Sequence, residues 1–231
     1  MRLFKFLALL SSLVLVACGG GGGGGSNGPV TSTETFQVKA AYVNYLNKTG
    51  SFPFTLSGTS SGVNVTGSGT LTLSTPTNSS FESAPVLQKN TATTFTIIAN
   101  GVSANDGSAS SSYVDSNYQP KGSSGTDYAV VTSNIAIPVT GRVGDSGTWS
   151  TENRYANSTK TSLLGTTTTS YVLEADTATT ALLKIISEEK NNSGTTTFTS
   201  IEAYRITPAG AITAVSATAS ASPTFLTFTF N

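Results

Sequence analysis

Over residues 52–230 the chain is a succession of short stretches in which β-branched or aromatic residues alternate with small polar ones. Successive side chains along a strand point to opposite faces, so this alternation is typical of half-buried strands. Glycine, asparagine and aspartate interrupt the stretches, as turns between antiparallel strands require. Strands do not alternate with long helical patterns, which a parallel sheet would need. The pattern therefore predicts an all-β protein.

About a dozen strands are predicted, and most of the connections between them are short. Short connections favour an antiparallel up-and-down meander. An open meander leaves unpaired backbone groups at its two edges, and closure into a barrel removes both edges. We therefore expect a barrel or half-barrel, with a two-sheet sandwich as the alternative.

Several turns stand out within the predicted meander. Asparagine, aspartate and glycine tolerate positive φ, so Asn105–Gly107 is predicted to be a turn and Asn191–Gly194 the loop of a hairpin. Gly67 and Gly69 are expected to interrupt a strand. Residues 108–125 are rich in Ser, Asn, Asp and Gly, and we predict a long surface excursion there.

One short N-terminal helix is predicted over Thr33–Asn47. Thr31 and Glu34 have the spacing of a capping box, and Phe36 begins a stripe of residues at helical spacing. Valine and tyrosine are frequent in this segment and favour strands, so a strand remains the alternative.

Composition limits how such a domain is stabilised and what it contacts. The chain has one cysteine, so no disulfide can form within it, and stability must come from packing and strand pairing. Charged residues make up 10% of the chain, against about 25% in an average domain, and the net charge is zero. Binding to nucleic-acid phosphates needs a basic excess, which this chain lacks, so we predict no nucleic-acid partner.

Residues 1–17 have the pattern of a signal peptide. Arg2 and Lys5 supply a cationic start, and residues 7–16 form a mostly apolar run of about ten residues. A bilayer-spanning helix needs about 20 apolar residues, so this run is too short to span. We expect residues 1–17 to be removed.

The run ends in Leu15-Val16-Ala17-Cys18, which resembles the lipobox of bacterial lipoproteins; the resemblance covers residues 1–19 only. It implies that Cys18 is acylated and becomes the mature N-terminus, with more than one acyl chain providing stable membrane anchoring. Gly19 replaces the aspartate associated with inner-membrane retention, so the implied location is the outer membrane.

The division of the chain follows from these features. Residues 1–17 are the predicted signal peptide, residues 18–30 the lipidated cysteine and a glycine-rich tether, and residues 31–231 a single β domain. A glycine-rich tether of this length has a root-mean-square reach of roughly 18 Å, so it holds the domain close to the lipid surface.

The sequence offers little for catalysis or metal binding. Gly58–Gly62 and Gly144–Gly147 match serine-hydrolase motifs, but those enzymes use a histidine base and this chain has no histidine. A hydrolase that works without histidine, with Ser187 and Lys190 spaced as in serine–lysine enzymes, is the remaining alternative. We predict no catalytic residue, no metal and no cofactor.

The single tryptophan marks the position where a ligand is expected. Within the predicted strand 148–155, Trp149 and Tyr155 share one face, while Glu152 and Arg154 share the other. We expect the uncharged face to point inward, with Trp149 and Tyr155 lining any cavity. The chain is then a non-catalytic, lipid-anchored envelope protein that binds or carries an apolar or amphiphilic molecule. The alternative is a structural or adhesive surface lipoprotein that contacts glycans or proteins.

The lipobox gives the first testable prediction. We expect Cys18→Ser to abolish metabolic labelling with a radioactive fatty acid and to block signal-peptide processing, because the acceptor thiol is lost. Wild-type protein should take up label and sediment with the outer membrane. A wild-type protein that is unlabelled and fully soluble would contradict the anchoring prediction.

Overall fold

The computed structural model describes residues 31–230 of the chain, and the predicted signal peptide, Cys18 and the tether all lie outside the described residues. The described part contains one helix and thirteen strands. They are α1 (Val38–Leu46), β1 (Gly50–Ser60), β2 (Val63–Leu73), β3 (Thr77–Phe81), β4 (Ala84–Ala99), β5 (Val102–Val114), β6 (Pro120–Ser124), β7 (Tyr128–Asn134), β8 (Ser146–Tyr155), β9 (Leu163–Ala175), β10 (Ala181–Asn191), β11 (Thr196–Ile206), β12 (Ile212–Ala221) and β13 (Thr224–Phe230).

The strands form one closed antiparallel barrel. From β3 to β13 each strand pairs with the next, β13 then pairs with β1, and β1 pairs with β2. The pairing of β2 with β4, from Val65 opposite Ala99 to Leu73 opposite Thr91, closes a ring of twelve strands. β3 is the extra strand and pairs with the first residues of β4. The predicted all-β meander and barrel are confirmed, and the sandwich alternative is not formed.

Two of the predicted turns have opposite outcomes. The Asn191–Gly194 hairpin loop is confirmed, since Gly194 has φ 79° and its amide donates to the Asn191 carbonyl at 2.9 Å. The predicted turn at Asn105–Gly107 is wrong, because these residues lie inside β5. The chain reverses instead at Asn100 and Gly101, whose φ angles of 51° and 75° fit a two-residue hairpin turn.

The predicted surface excursion at residues 108–125 is also wrong. These residues complete β5 and form β6, so a serine-rich segment of low strand propensity is part of the barrel wall. Residues 108–114 form seven pairs with β4, so sheet context overrides the weak intrinsic preference of this segment.

The glycines of β2 do not interrupt the strand. β2 is continuous, and Gly67 and Gly69 face close backbone neighbours instead. A Cβ atom added at Gly69 would lie 2.4 Å from the Thr94 carbonyl oxygen and 2.6 Å from the Phe54 ring. Glycine at these positions therefore allows neighbouring strands to pack closely, and it does not interrupt β2.

The predicted helix is shorter than expected and begins later. The Thr31–Glu34 capping box is not formed: Ser32 Oγ accepts the Glu34 amide hydrogen at 3.2 Å, and α1 begins only at Val38. The buried stripe consists of Val38, Ala41, Tyr42, Tyr45 and Leu46, in place of the expected stripe through Phe36. In the described part of the chain, no helix has the length and apolar character needed to cross a membrane.

Apolar side chains fill the barrel at the end occupied by α1. Phe54 on β1 meets Phe228 and Phe230 on β13 edge-to-face, at ring-centroid distances of 5.7 and 5.9 Å. Leu226, Phe228 and Phe230 all point inward, as their alternation predicts. Each such aromatic pair adds about 0.5–1.5 kcal/mol beyond the burial of its surface.

The loop at Gly194 gives the second testable prediction. No atom lies within 4 Å of a Cβ added at Gly194, so only its positive φ restricts substitution. We expect Gly194→Val to lower the free energy of unfolding by about 1–2 kcal/mol, because β-branched residues are strained at positive φ. Gly194→Asn, the matched control, should cost only a few tenths of a kcal/mol. Equal urea midpoints for the two variants would contradict this assignment.

Candidate functional site

The barrel encloses a cavity of about 740 Å³ between α1 and the loops at the opposite end. Side chains of an eight-stranded barrel fill its interior, but twelve strands enclose more space than the inward side chains occupy. The lining of the cavity combines aromatic and aliphatic side chains with serine, threonine and charged residues. A cavity of this size lies within the usual range for small-molecule sites.

One end of the cavity is closed by α1. Hydrogen bonds join the segment before the helix to two loops. The Phe36 amide donates to the Gly141 carbonyl in the β7–β8 loop at 2.8 Å, and the Gln37 amide donates to the Pro208 carbonyl in the β11–β12 loop at 3.2 Å. Asn44 Nδ2 donates to the Gly210 carbonyl at 2.9 Å. Tyr42 and Tyr45 face back into the barrel and form the base of the cavity.

The other end of the cavity is formed by the connections between strands. Residues of the β6–β7 and β12–β13 connections line it, together with the adjoining ends of β10 and β11. In an antiparallel meander these lie at the end opposite the β11–β12 loop that holds α1. The residues at this end are small and mostly polar: Gly125, Thr126, Asp127, Asn191, Thr196, Ser222 and Thr224.

A bulge in β8 decides which side chains enter the cavity. The pairing of β8 with β9 shifts between Thr148 and Ser150, so Trp149 and its neighbour Ser150 are both buried. Beyond this bulge the alternation is inverted, and Glu152 and Arg154 point inward. The prediction that the charged face of this strand points outward is therefore wrong. The bulge inserts one extra residue into the strand, so the in-and-out alternation of side chains shifts by one position after it.

The two predicted ligand-lining residues are separated by the same bulge. Trp149 does contact the cavity, although its side chain is only 2% exposed. It packs against Tyr42 at a ring-centroid distance of 5.3 Å and stacks on Tyr171 at the same distance. Tyr155 does not line the cavity; its hydroxyl accepts from Asn153 Nδ2 at 3.3 Å, on the other face of β8.

Arg154 is the centre of a buried ion-pair network. Its guanidinium contacts the carboxylates of Asp127, in the β6–β7 turn, and Glu189, on β10. Only 10% of the Arg154 side chain and 8% of the Glu189 side chain are exposed, so solvent screens this pair weakly. The network links β8 to β10 and to the turn at the entrance of the cavity.

Lys89 joins the barrel wall to the C-terminal end of α1. Its ammonium donates to the carbonyls of Leu46 at 2.6 Å and Lys48 at 2.5 Å. These carbonyls lie at the negative end of the helix dipole, where a cation is favourable. Burial lowers the pKa of Lys89 to about 8, which still leaves the side chain mostly protonated at neutral pH.

Glu152 is the cavity carboxylate without a close ionic partner. Arg154 pairs with Asp127 and Glu189, and none of the seven ion pairs among residues 31–230 involves Glu152. The carboxylate lies deep in the barrel but retains accessible surface because it faces the cavity. Burial raises its pKa from 4.5 to about 7; the Arg154 charge opposes this shift and the Glu189 charge adds to it.

The tyrosines at the base of the cavity lie close to acidic groups. Burial, followed by the charges of Glu152 and Glu202, raises the pKa of Tyr42. Tyr204 Oη donates to Glu202 Oε2 at 2.5 Å, and burial with the adjacent carboxylate raises the pKa of Tyr204 well above its usual value. Both hydroxyls therefore stay protonated at any physiological pH and act as neutral polar groups.

Most residues of the cavity were missed by the sequence prediction. Glu152, Arg154, Glu189 and Glu202 lie on strands whose alternation is visible, but the inward face of β8 depends on the bulge at Trp149. The one available signal is spacing, because residues an even number of positions apart on a strand share a face, and Glu189 lies four positions after the inward Ile185.

Comparison with protein-family models, with curated proteins and with solved structures finds no match to this chain. Among residues 31–230, no group of three or more histidine, cysteine, aspartate or glutamate side chains is arranged to hold a metal ion. The function of the cavity must therefore be argued from its own residues.

The elevated pKa of Glu152 gives the third testable prediction. The folded protein binds this proton more tightly than the unfolded chain, so the stability from Glu152 is fully present below about pH 4.5 and is lost as pH rises through about 7. Glu152→Gln remains neutral throughout. We expect the variant to match wild type at pH 4.5 and to exceed it by about 1–3 kcal/mol at pH 8.

Urea unfolding across this pH range provides the measurement. Glu174→Gln on the neighbouring strand β9 is the control, because Glu174 contacts Lys184 at 2.6 Å and does not line the cavity. A stability difference between Glu152→Gln and wild type that does not change with pH would contradict the prediction.

Proposed function

We propose that this chain is a non-catalytic, lipid-anchored envelope protein whose barrel binds one small amphiphilic molecule. The observation that supports the proposal is the cavity of about 740 Å³, which is bordered at one end by α1 and at the other by connections between strands. A purely structural barrel gains stability when its interior is filled, since each unfilled volume forfeits packing contacts.

The chemistry of the lining supports an amphiphile over a wholly apolar ligand. Ile185 and Phe198 offer apolar surface, while Ser187 and Thr169 place hydroxyl groups in the same wall. Apolar surface and hydroxyl groups in one wall suit a ligand that has both an apolar part and polar atoms.

The adhesive alternative is less well supported by the outer surface. A binding face for glycans or proteins is expected to present several aromatic or apolar side chains together. Phe225 is the aromatic residue among the large hydrophobic side chains that are clearly exposed in residues 31–230. The outward positions of β1 and β2 carry mainly serine and threonine.

Membrane anchoring is the second half of the proposal, and the lipobox at Cys18 supports it. The barrel begins soon after the predicted tether, so its cavity would lie within a few tens of ångströms of the lipid surface. That placement suits a protein that takes up or releases an amphiphilic molecule near a membrane. Acylation of Cys18 is tested by the labelling experiment described above.

Binding of a neutral fluorescent probe tests the cavity function and gives the fourth prediction. We expect N-phenyl-1-naphthylamine to bind purified full-length protein saturably, with about one site per chain and micromolar affinity, and with increased emission. Ser187→Phe places a ring inside the cavity and should weaken binding at least tenfold, because the ring occupies the ligand's volume.

Ser57→Phe is the matched control, since Ser57 is exposed on the outer face of β1. Thermal unfolding of both variants establishes that they are folded. Equal probe binding by the two variants, or emission that rises without saturation, would count against a ligand site in the barrel.

A further inference from the structure

The charges that face the cavity are unbalanced. Two cationic residues line it, Lys89 and Arg154, against four acidic residues: Asp127, Glu152, Glu189 and Glu202. The whole chain has equal numbers of acidic and basic residues, so the acidic excess is a local property of this site. A low-dielectric wall strengthens the field of such an excess in the cavity.

Neither cation is available to an anionic ligand. The Lys89 ammonium is held by the carbonyls of Leu46 and Lys48 at the end of α1. The Arg154 guanidinium contacts two carboxylates, on Asp127 and Glu189. An anion entering the cavity would have to break these contacts and would also be repelled by Glu152 once this side chain is ionised.

Glu152 lines the same cavity as the aromatic rings at its base. The Glu152 charge contributes to the raised pKa of Tyr42, and the Tyr42 ring meets Trp149 edge-to-face at 5.3 Å. Tyr45 completes the aromatic side of this base. A carboxylate next to aromatic rings binds an ammonium group in two ways, through a charge-assisted hydrogen bond and through the ring quadrupole.

We propose that the ligand of the cavity is a small organic cation, whose ammonium group binds Glu152 while its apolar part contacts Tyr42, Ile185 and Phe198. This inference rests on the proposed function, because it assigns a chemical class to the molecule that the barrel holds. It also excludes fatty acids and other anionic amphiphiles as ligands, because the acidic excess in the cavity disfavours an anion.

Three probes with one ring system and different head groups test the inference, which is the fifth prediction. Isothermal titration calorimetry of full-length protein at pH 8 compares 1-naphthylmethylamine, 1-naphthylmethanol and 1-naphthoate. We expect the amine to bind at least tenfold more tightly than the alcohol, and the carboxylate to bind most weakly. Glu152→Gln should weaken amine binding roughly tenfold or more, the scale of a lost hydrogen bond to a charged group.

The controls separate the possible outcomes. Glu174→Gln removes a carboxylate from the outside of the barrel and should leave the amine affinity unchanged, and 1-naphthylmethanol should bind wild type and Glu152→Gln equally. If the alcohol or the carboxylate binds wild type as tightly as the amine, or if Glu152→Gln keeps the amine affinity, the cation assignment is overturned and the cavity function stands. If no probe binds, both are overturned. The wild-type comparison of head groups does not depend on how any variant folds.

Discussion

Closure of the sheet between β2 and β4 is the constraint on which the rest of the structure depends. It removes both edges of a long meander in a chain that cannot form an internal disulfide, and it sets the number of strands in the ring at twelve. A ring of that size is wider than inward side chains can fill. One end is therefore filled by α1, and the other end retains a cavity.

The buried charged residues lie where α1 meets the barrel wall and around the cavity that α1 leaves unfilled. Lys89 uses its ammonium to hold the last carbonyls of α1, so the helix is attached to the wall by polar contacts as well as by its apolar stripe. Arg154 connects β8 to Glu189 and to the turn at Asp127. Ions buried in a packed core are costly, but here they border a space that admits water or ligand. The same space explains why Glu152 can remain without an ionic partner.

The elements that were predicted correctly are those whose signals are local. The Asn191–Gly194 loop needs a residue at positive φ, and glycine supplies it wherever the loop is placed. The inward face of β13 follows from strict alternation of Leu226, Phe228 and Phe230. The turn that was predicted wrongly involves residues whose composition is compatible with either a turn or a strand. Asn105–Gly107 has the composition of a turn, yet its pairing with β4 keeps it extended, while the Asn100–Gly101 dipeptide forms the actual turn.

The sequence by itself determined the all-β class and most of the strands, because alternation and turn residues act over a few neighbouring positions. It also determined that no disulfide supports the described domain, since one cysteine cannot pair within the chain. Only the tertiary structure decided that β2 pairs with β4. This pairing closes the ring, so it depends on how all twelve strands are arranged and not on the residues of β2 and β4 alone. It alone decided that the bulge at Trp149 turns Glu152 and Arg154 inward and leaves Tyr155 outside the cavity. Bulges and closure depend on the register between strands, and alternation within one strand does not encode that register.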